Sequence, residues 1–296
     1  ILSGLVGSEM CIRDRLTVDA ALNDPTHIEQ RIADIVQPSL LADHMFTTGG
    51  DVQGGAVIYS RTTEKHLFTE NDVADRNPGD EYPVVYSEQP ASEIARVQDF
   101  GGKFAVTDEA RRRNHAIDFD NDVTRLSNTI KRKLDRRVIE TLEAADATGE
   151  TNQFVTPTKW GEIEVHGDPA GRTAGGDLPA SVIALTIGLG EEKDLGINYN
   201  RLLVTPMTRA HLRAIYGPDL KDMLADFGLD MFTSVHVPDG KAYLVDQGNV
   251  GFLRYEQTLT VETFDDREHR QTWVQGYAMP VMGVTLPAAI ATISGI

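Results

Sequence analysis

The sequence predicts an α+β fold in which one long helix separates an extended region from a layer of short helices and strands. Apolar residues recur at helical spacing over about 118–145, which predicts the long helix. Before it, residues 47–98 combine glycine pairs with extended, turn-rich segments. After it, residues 177–257 alternate helical and strand patterns, and the β-branched apolar run over 277–296 predicts buried strands.

The first predicted helix has one apolar stripe and no partner close to it in sequence. It lies in the segment NDPTHIEQRIADIVQP, with Asp24 and Pro25 at its start and Pro38 at its end. Four apolar residues share one side of it: Ile28, Ile32, Ile35 and Val36. Such a stripe must pack against another element.

Residues 47–98 resemble a long hairpin whose tip is poor in core residues. The segment TTGGDVQGGAVIYS leads out, RNPGDEYPVV follows, and SEIARVQDF leads back. A loop of this length cannot bury both of its faces, so we expect it to be functional or to lie on a partner's surface.

The segment GGKFAVTDEARRRN predicts a strand through Phe104 and Val106, followed by a short helix capped by Thr107 or Asp108. The long helix comes next, and at about 1.5 Å per residue it spans about 40 Å. Its apolar positions are Val123, Leu126, Ile130, Leu134, Val138 and Leu142.

The layer over 177–257 begins with a helix in DLPASVIALTIGLGEEKD. In NRLLVTPMTRAHLRAIYG, a strand precedes Thr205 as N-cap, Pro206 as the first helical residue and Gly217 as the terminator. Further strands are predicted in SVHVP, KAYLVDQ, GFLRYE, LTVETFDD and REHRQTWVQGYAM.

Composition excludes several classes of protein. The net charge of −17 argues against a chain whose whole surface wraps nucleic acid or binds an anionic membrane. The run over 277–296 carries no charged side chain, but Pro280, Gly283 and Pro287 interrupt any helix there, so we expect strands and not a membrane anchor. The single cysteine, Cys11, lies in a segment that we exclude from the fold.

That segment, residues 1–15, is interpreted as a sequencing-adaptor artefact. The stretch LVGSEMCIRD can be encoded by CTC GTG GGC TCG GAG ATG TGT ATA AGA GAC, which resembles a transposon adaptor used for sequencing libraries. The next adaptor bases, AG, fit the codon of Arg15. We therefore expect the gene's own sequence to begin at about Leu16, and the remaining chain has no thiol for a disulfide or a metal.

Motifs of catalysis and cofactor binding are missing from the sequence. GGDVQGG has neither the GK[ST] ending of a P-loop nor GxGxxG spacing, the eight histidines form no HExxH pair, and no GxSxG occurs. DFDND lacks the glycine and the closing glutamate of a calcium loop. We therefore expect no cofactor, no metal site and no enzyme activity.

A basic cluster stands out in the long helix, just after Arg111, Arg112 and Arg113. It consists of Arg125, Lys131, Arg132, Lys133, Arg136 and Arg137. One interpretation is a solvated face paired with acidic residues of a neighbour. The other is a patch that contacts packaged nucleic acid through its phosphates, without sequence specificity.

The order of these elements resembles the major capsid protein of tailed bacteriophages, the HK97 fold, in the branch found in phages of actinobacteria. The resemblance covers 16–296 and depends on the order of several stretches: NDPTHIEQRIADI, NPGDEYPVV, GGKFAVTDEARRRN, SNTIKRKLDRR, LLVTPMTRAHL and TWVQGYAMPV. It implies an N-terminal arm (16–46), an extended loop (47–98), a peripheral domain with a spine helix (99–176), an axial domain (177–257) and return strands of the peripheral domain (258–296).

The resemblance implies a structural protein that self-assembles into pentamers and hexamers of an icosahedral head around double-stranded DNA. The arm and the loop would lie across neighbouring subunits. Portal, scaffolding and decoration proteins would be further partners, and assembly would take place in the host cytoplasm. An encapsulin-type compartment is an alternative on the same fold, although the developed arm and loop favour the phage head. An α/β enzyme is a remote alternative, because no motif supplies a polar cluster.

Overall fold

The computed structural model describes residues 17–36, 40–79, 81–165 and 171–296. The predicted artefact 1–15, Leu16 and Pro38 lie outside the described residues, as do the side chains of Ile35 and Val36. The helices are α1 (Val18–Asn23), α2 (Pro25–Val36), α3 (Leu41–Met45), α4 (Glu64–Leu67), α5 (Asp108–Arg112), α6 (Ala116–Asp146), α7 (Pro179–Glu191), α8 (Pro206–Tyr216) and α9 (Leu220–Asp226).

The strands form three sheets among the described residues. They are β1 (Thr47–Asp51), β2 (Ala56–Ser60), β3 (Ser92–Arg96), β4 (Phe100–Thr107), β5 (Asn152–Val155), β6 (Arg201–Val204), β7 (Asp230–Thr233), β8 (Lys241–Val245), β9 (Gly251–Asp266), β10 (Gln271–Val284) and β11 (Ile290–Ser294). The sheet orders are β1-β9-β10-β4, β5-β11-β8-β6-β7 and β2-β3. The predicted α+β class is confirmed.

The described residues divide into two compact units. One takes its residues from 1–40, 97–134 and 255–280, and the other takes its residues from 41–96, 135–254 and 281–296.

In the first unit, α6 packs closely against the four-stranded sheet, at positions where the sheet residues are glycines. Leu126 lies so close to Gly102 that a Cβ there would be 2.9 Å from its Cδ1, and a Cβ at Gly276 would be 3.3 Å from its Cδ2. Over residues 271–280 of β10, even-numbered residues such as Val274 and Ala278 are buried while their odd-numbered neighbours are half-buried. Helix α6 continues into the second unit, and all six of its predicted apolar positions are buried, which confirms the long helix.

The first predicted helix finds its partner within its own chain. Ile28 and Ile32 of α2 are buried, and Arg31 forms an ion pair with Asp120 of α6 at 2.9 Å. The preceding helix α1 is fixed in the same way, because Asn114 accepts a hydrogen bond from the Val18 amide at 3.0 Å. Asp120 and Asn114 are far from these helices in sequence, so local patterns could not reveal the two contacts.

In the second unit, α7, α8 and α9 cover one face of the five-stranded sheet. Their shared core includes Val182 and Leu212 from the helices with Leu202 and Leu244 from the strands. Thr205 caps α8, since its hydroxyl accepts a hydrogen bond from the Thr208 amide at 3.0 Å, and Gly217 ends that helix at φ 57°. These predictions are confirmed.

Two features of this sheet differ from the prediction. SVHVP was predicted as a strand, but the strand is β7, and Ser234 ends it by accepting a hydrogen bond from the His236 amide at 3.2 Å in a side-chain turn. The sheet also contains β5 and β11, which come from outside 177–257. The predicted domain boundaries themselves stay a prediction.

In this unit, the neighbouring strands β9 and β10 approach so closely at one point that no side chain fits between them. A Cβ at Gly251 of β9 would lie 2.1 Å from the carbonyl oxygen of Gly283, whereas a Cβ at Gly49 of β1 would meet nothing within 4 Å. We expect Gly251→Ala to lower the free energy of unfolding by about 3 kcal/mol, because the backbone must move apart. Urea denaturation beside Gly49→Ala measures this, and equal stability of the two variants would contradict it.

Candidate functional site

The extended loop is a real hairpin at its base. Strands β2 and β3 pair antiparallel from Ala56 opposite Arg96 to Ser60 opposite Ser92. Ile58 and Ile94 face each other across this ladder, and both side chains are exposed. A two-stranded sheet has no second layer of its own, so this apolar pair lies open.

The loop tip beyond these strands is ordered mainly by the side-chain amide of Asn71. Asn71 donates a hydrogen bond to the carbonyl of Val84 at 2.7 Å and accepts one from the amide of Tyr86 at 3.0 Å. The Glu70 amide donates to the Tyr86 carbonyl at 2.9 Å. The guanidinium of Arg76 lies 4.9 Å from the ring centroid of Tyr82. The tip therefore has a defined backbone without a core.

The tip leaves a set of apolar side chains exposed, which we call the loop surface. Its members are Leu67, Phe68, Val73, Tyr82, Val84, Val85 and Tyr86. Several exposed aromatic and β-branched side chains in one loop tip are unusual for a surface that stays in water, and they are typical of a surface that binds another protein.

The root of the loop forms polar contacts with residues from other parts of the second unit. Arg61 bonds Glu93 of the returning strand at 2.9 Å and lies 3.7 Å from Glu150. The Thr62 amide donates to the Thr285 carbonyl at 2.7 Å, and Lys193 forms an ion pair with Glu64. These contacts hold the root of the loop against other parts of the second unit, to which the loop belongs.

All six residues of the predicted basic cluster lie on α6. Arg125, Arg132 and Arg136 are exposed and share the face opposite the buried residues, since steps of seven and four residues return to the same side of a helix. Lys133 is exposed beside them, and Lys131 and Arg137 are half-buried at the margins. We call Arg125, Arg132 and Arg136 the arginine stripe.

Comparison with protein families shows which family the chain belongs to. Residues 90–293 match the family model described as phage capsid protein. The chain belongs to the phage capsid protein family. It is a structural protein and not an enzyme, and the predicted resemblance to tailed-phage capsid proteins is confirmed.

Solved structures show that this capsid protein has an HK97-like fold. A chain of Mycobacterium phage Bobi is 14% identical with a TM-score of 0.61, over 86% of this chain and 90% of that one. The capsid of cyanophage P-SCSP1u is 11% identical with a TM-score of 0.59, over 84% and 86%. A virus-like particle from Pyrococcus furiosus is 14% identical with a TM-score of 0.57, over 92% and 100%. No curated protein matches the chain.

The capsid protein also contains a buried polar cluster that the sequence analysis missed. Asp146, at the end of α6, accepts hydrogen bonds from Lys241 Nζ at 2.8 Å, Thr151 at 2.9 Å and Thr292 at 2.8 Å. Burial raises the pKa of Asp146, but these three donors outweigh it, so its pKa lies below the ordinary value. No local motif could have revealed this cluster, because Lys241 and Thr292 are far from Asp146 in sequence.

Two of the charged side chains that line one groove of the capsid protein already have partners. A shallow groove of about 680 Å³ on the four-stranded sheet is lined by Lys103, Glu262 and Tyr277 among others. Glu262 already accepts a hydrogen bond from Tyr277 at 2.9 Å, and Lys103 lies 4.4 Å from the ring centroid of Trp273. Within the described ranges no group of three or more metal-ligating side chains occurs. None of the described helices combines the length and hydropathy that a membrane span requires.

Proposed function

We propose that copies of this chain assemble into pentamers and hexamers that form the icosahedral head of a tailed phage, and that the head encloses double-stranded DNA. In this proposal the chain's partners are its own copies, a portal protein, a scaffolding protein and, in some heads, a decoration protein. Assembly takes place in the cytoplasm of the host bacterium.

The observation that carries this proposal is the loop surface. Its backbone is ordered by Asn71, yet Val73, Tyr82, Val84 and Tyr86 find no cover among the described residues of their own chain. Burial of apolar surface stabilises association by about 25 cal/mol per Å². A neighbouring copy would supply that cover, and repetition of the same contact around an axis closes a ring.

A second candidate on the same fold is a protein shell that stores a cargo enzyme. The likeness to a virus-like particle from Pyrococcus furiosus, over all of that chain, supports keeping it as an alternative. The two functions differ in what the shell contains, which is nuclease-protected DNA in one and a folded protein in the other.

Expression of the chain from Leu16 onward, beside the full chain, tests the proposal. We expect sedimentation and negative-stain electron microscopy to show rings of five and six subunits or closed shells. A monomer that persists at high concentration, with and without a scaffolding protein from the same gene cluster, would contradict assembly. A portal gene and a terminase gene beside this gene would favour the phage head over the storage shell.

A further inference from the structure

We infer that the arginine stripe of α6 is a binding site for the phosphate backbone of double-stranded DNA. The inference rests on the proposed function for the presence of DNA inside the head. It goes further by assigning the contact to Arg132 and Arg136, with Arg125 and Lys133 extending it.

The stripe has the geometry of a linear anion site. Arg125, Arg132 and Arg136 lie on one face of a continuous helix, and at 1.5 Å per residue they span about 16 Å along its axis. A duplex carries one negative charge per about 1.7 Å of its length, so it presents about ten charges over the same distance. Thr129, which lies between the arginines, is uncharged, and its hydroxyl donates to the Arg125 carbonyl at 2.8 Å.

The charge of this segment is opposite to that of the chain. Residues 125–137 contain six basic residues and one acidic residue, although the whole chain has 45 acidic and 28 basic residues. At about 0.1 M salt, charges separated by more than about 10 Å are largely screened. A phosphate close to Arg132 and Arg136 therefore interacts mainly with these arginines and little with carboxylates more than about 10 Å away.

Two of the three arginines of the stripe, Arg132 and Arg136, lack the ion pairs that arginines form elsewhere in the described residues. Arg31, Arg61 and Arg111 each have a carboxylate partner within 3.0 Å. On α6, Arg125 pairs with Asp122 of its own helix, whereas neither Arg132, Lys133 nor Arg136 has a carboxylate oxygen within 4.0 Å in the described part of the chain. An anion from outside the chain relieves their mutual repulsion.

Contacts of this kind fix DNA without reading its sequence. Arginine and lysine bound to phosphate oxygens carry no base information, whereas sequence is read at base edges in the grooves. We therefore expect duplexes of different base composition to bind with the same affinity, as a head that encloses a whole genome requires.

Fluorescence anisotropy with a short labelled duplex tests the inference on the full chain. We expect Arg132→Glu with Arg136→Glu to weaken binding by about tenfold or more at low salt. The matched control is Arg209→Glu with Arg213→Glu on α8. These arginines have the same spacing, are exposed and have no carboxylate partner in the described ranges, so the change in net charge is identical.

A second pair of variants separates phosphate contacts from general repulsion. Arg132→Gln with Arg136→Gln should lower the slope of log K against log salt by about 1.8, because two phosphate contacts are lost. Equal effects of the α6 and α8 pairs would overturn the inference, as would a wild-type chain that binds no duplex at low salt. If the α6 variants still bound DNA but no longer bound an acidic scaffolding protein, the stripe would be a site for a protein partner, and the inference would be overturned.

Assembly is measured on the same variants by sedimentation. Shells that form normally while none of the proteins binds DNA would leave assembly standing and remove the arginine stripe as a DNA site. If DNA binding depended on the stripe but the chain never formed shells, the DNA site would stand and the proposed assembly would be contradicted.

Discussion

Replacing Val73 and Val84 by aspartate is expected to abolish shell assembly and leave each chain folded. Both side chains are largely exposed, at 77% and 68%, so the folded chain loses few contacts. In an assembled shell the same positions would be buried against a neighbour. Burying a valine stabilises by about 1.5 kcal/mol or more, so the pair contributes about 3 kcal/mol to each contact between subunits.

That free energy corresponds to about a hundredfold in each association constant, and the contact recurs around every ring. The aspartates additionally bring charge into an apolar interface, which costs more than removing the methyl groups. Sedimentation velocity would show subunits in place of shells, and circular dichroism would show an unchanged fold.

The matched control places the same two charges in the same loop without removing apolar side chains. Ser87 and Gln89 are both exposed, and Ser87→Asp with Gln89→Asp adds the same net charge. We expect this protein to assemble. Normal shells from the Val73 and Val84 variant would show that the loop surface is not an interface.

The second large effect is expected at the buried carboxylate. Asp146→Ala should lower the free energy of unfolding by about 3 kcal/mol, because removing one member of a buried ion pair leaves its partners uncompensated. The side chain of Asp146 is 9% exposed, whereas that of Lys241 is 34% exposed and can be partly solvated. Lys241→Met should therefore cost less. Urea denaturation in the unassembled loop variant measures both.

The pH dependence of this cluster has a defined sign. The pKa of Asp146 is lower in the folded chain than its ordinary value, because the hydrogen bonds from Lys241, Thr292 and Thr151 outweigh the effect of burial. Its contribution is present above the unfolded pKa of about 3.9 and is lost as pH falls through the folded pKa. The difference in stability between wild type and Asp146→Asn should therefore shrink below about pH 4. A difference that stays constant from neutral pH to pH 3 would contradict this.

Local signals in the sequence predicted the elements well. Thr205, Pro206 and Gly217 mark the ends of α8 because caps and terminators act over a few residues. The apolar spacing from Val123 to Leu142 predicted α6 because one helix buries one face. SVHVP failed because its alternation resembles a strand, whereas the turn at Ser234 depends on a side-chain hydrogen bond.

Features built from distant residues could not be predicted in the same way. Asp146 meets Lys241 and Thr292 across 95 and 146 positions, and neither partner has a distinctive sequence context. The loop was predicted as extended and poor in core residues, but its ordering by Asn71 was not. The basic cluster was predicted as a set, whereas the choice of Arg125, Arg132 and Arg136 as the outer stripe needed the buried face of α6.

The position of β11 has a consequence for the order of events during synthesis. This strand lies between β5 and β8, pairing parallel with one and antiparallel with the other. Until residues 290–294 leave the ribosome, β5 has no neighbour in the sheet and the core lacks Ile290 and Ile293. A nascent or truncated chain thus cannot complete its second unit. We therefore expect a chain that stops before residue 290 to lack a complete second unit and to join other subunits poorly.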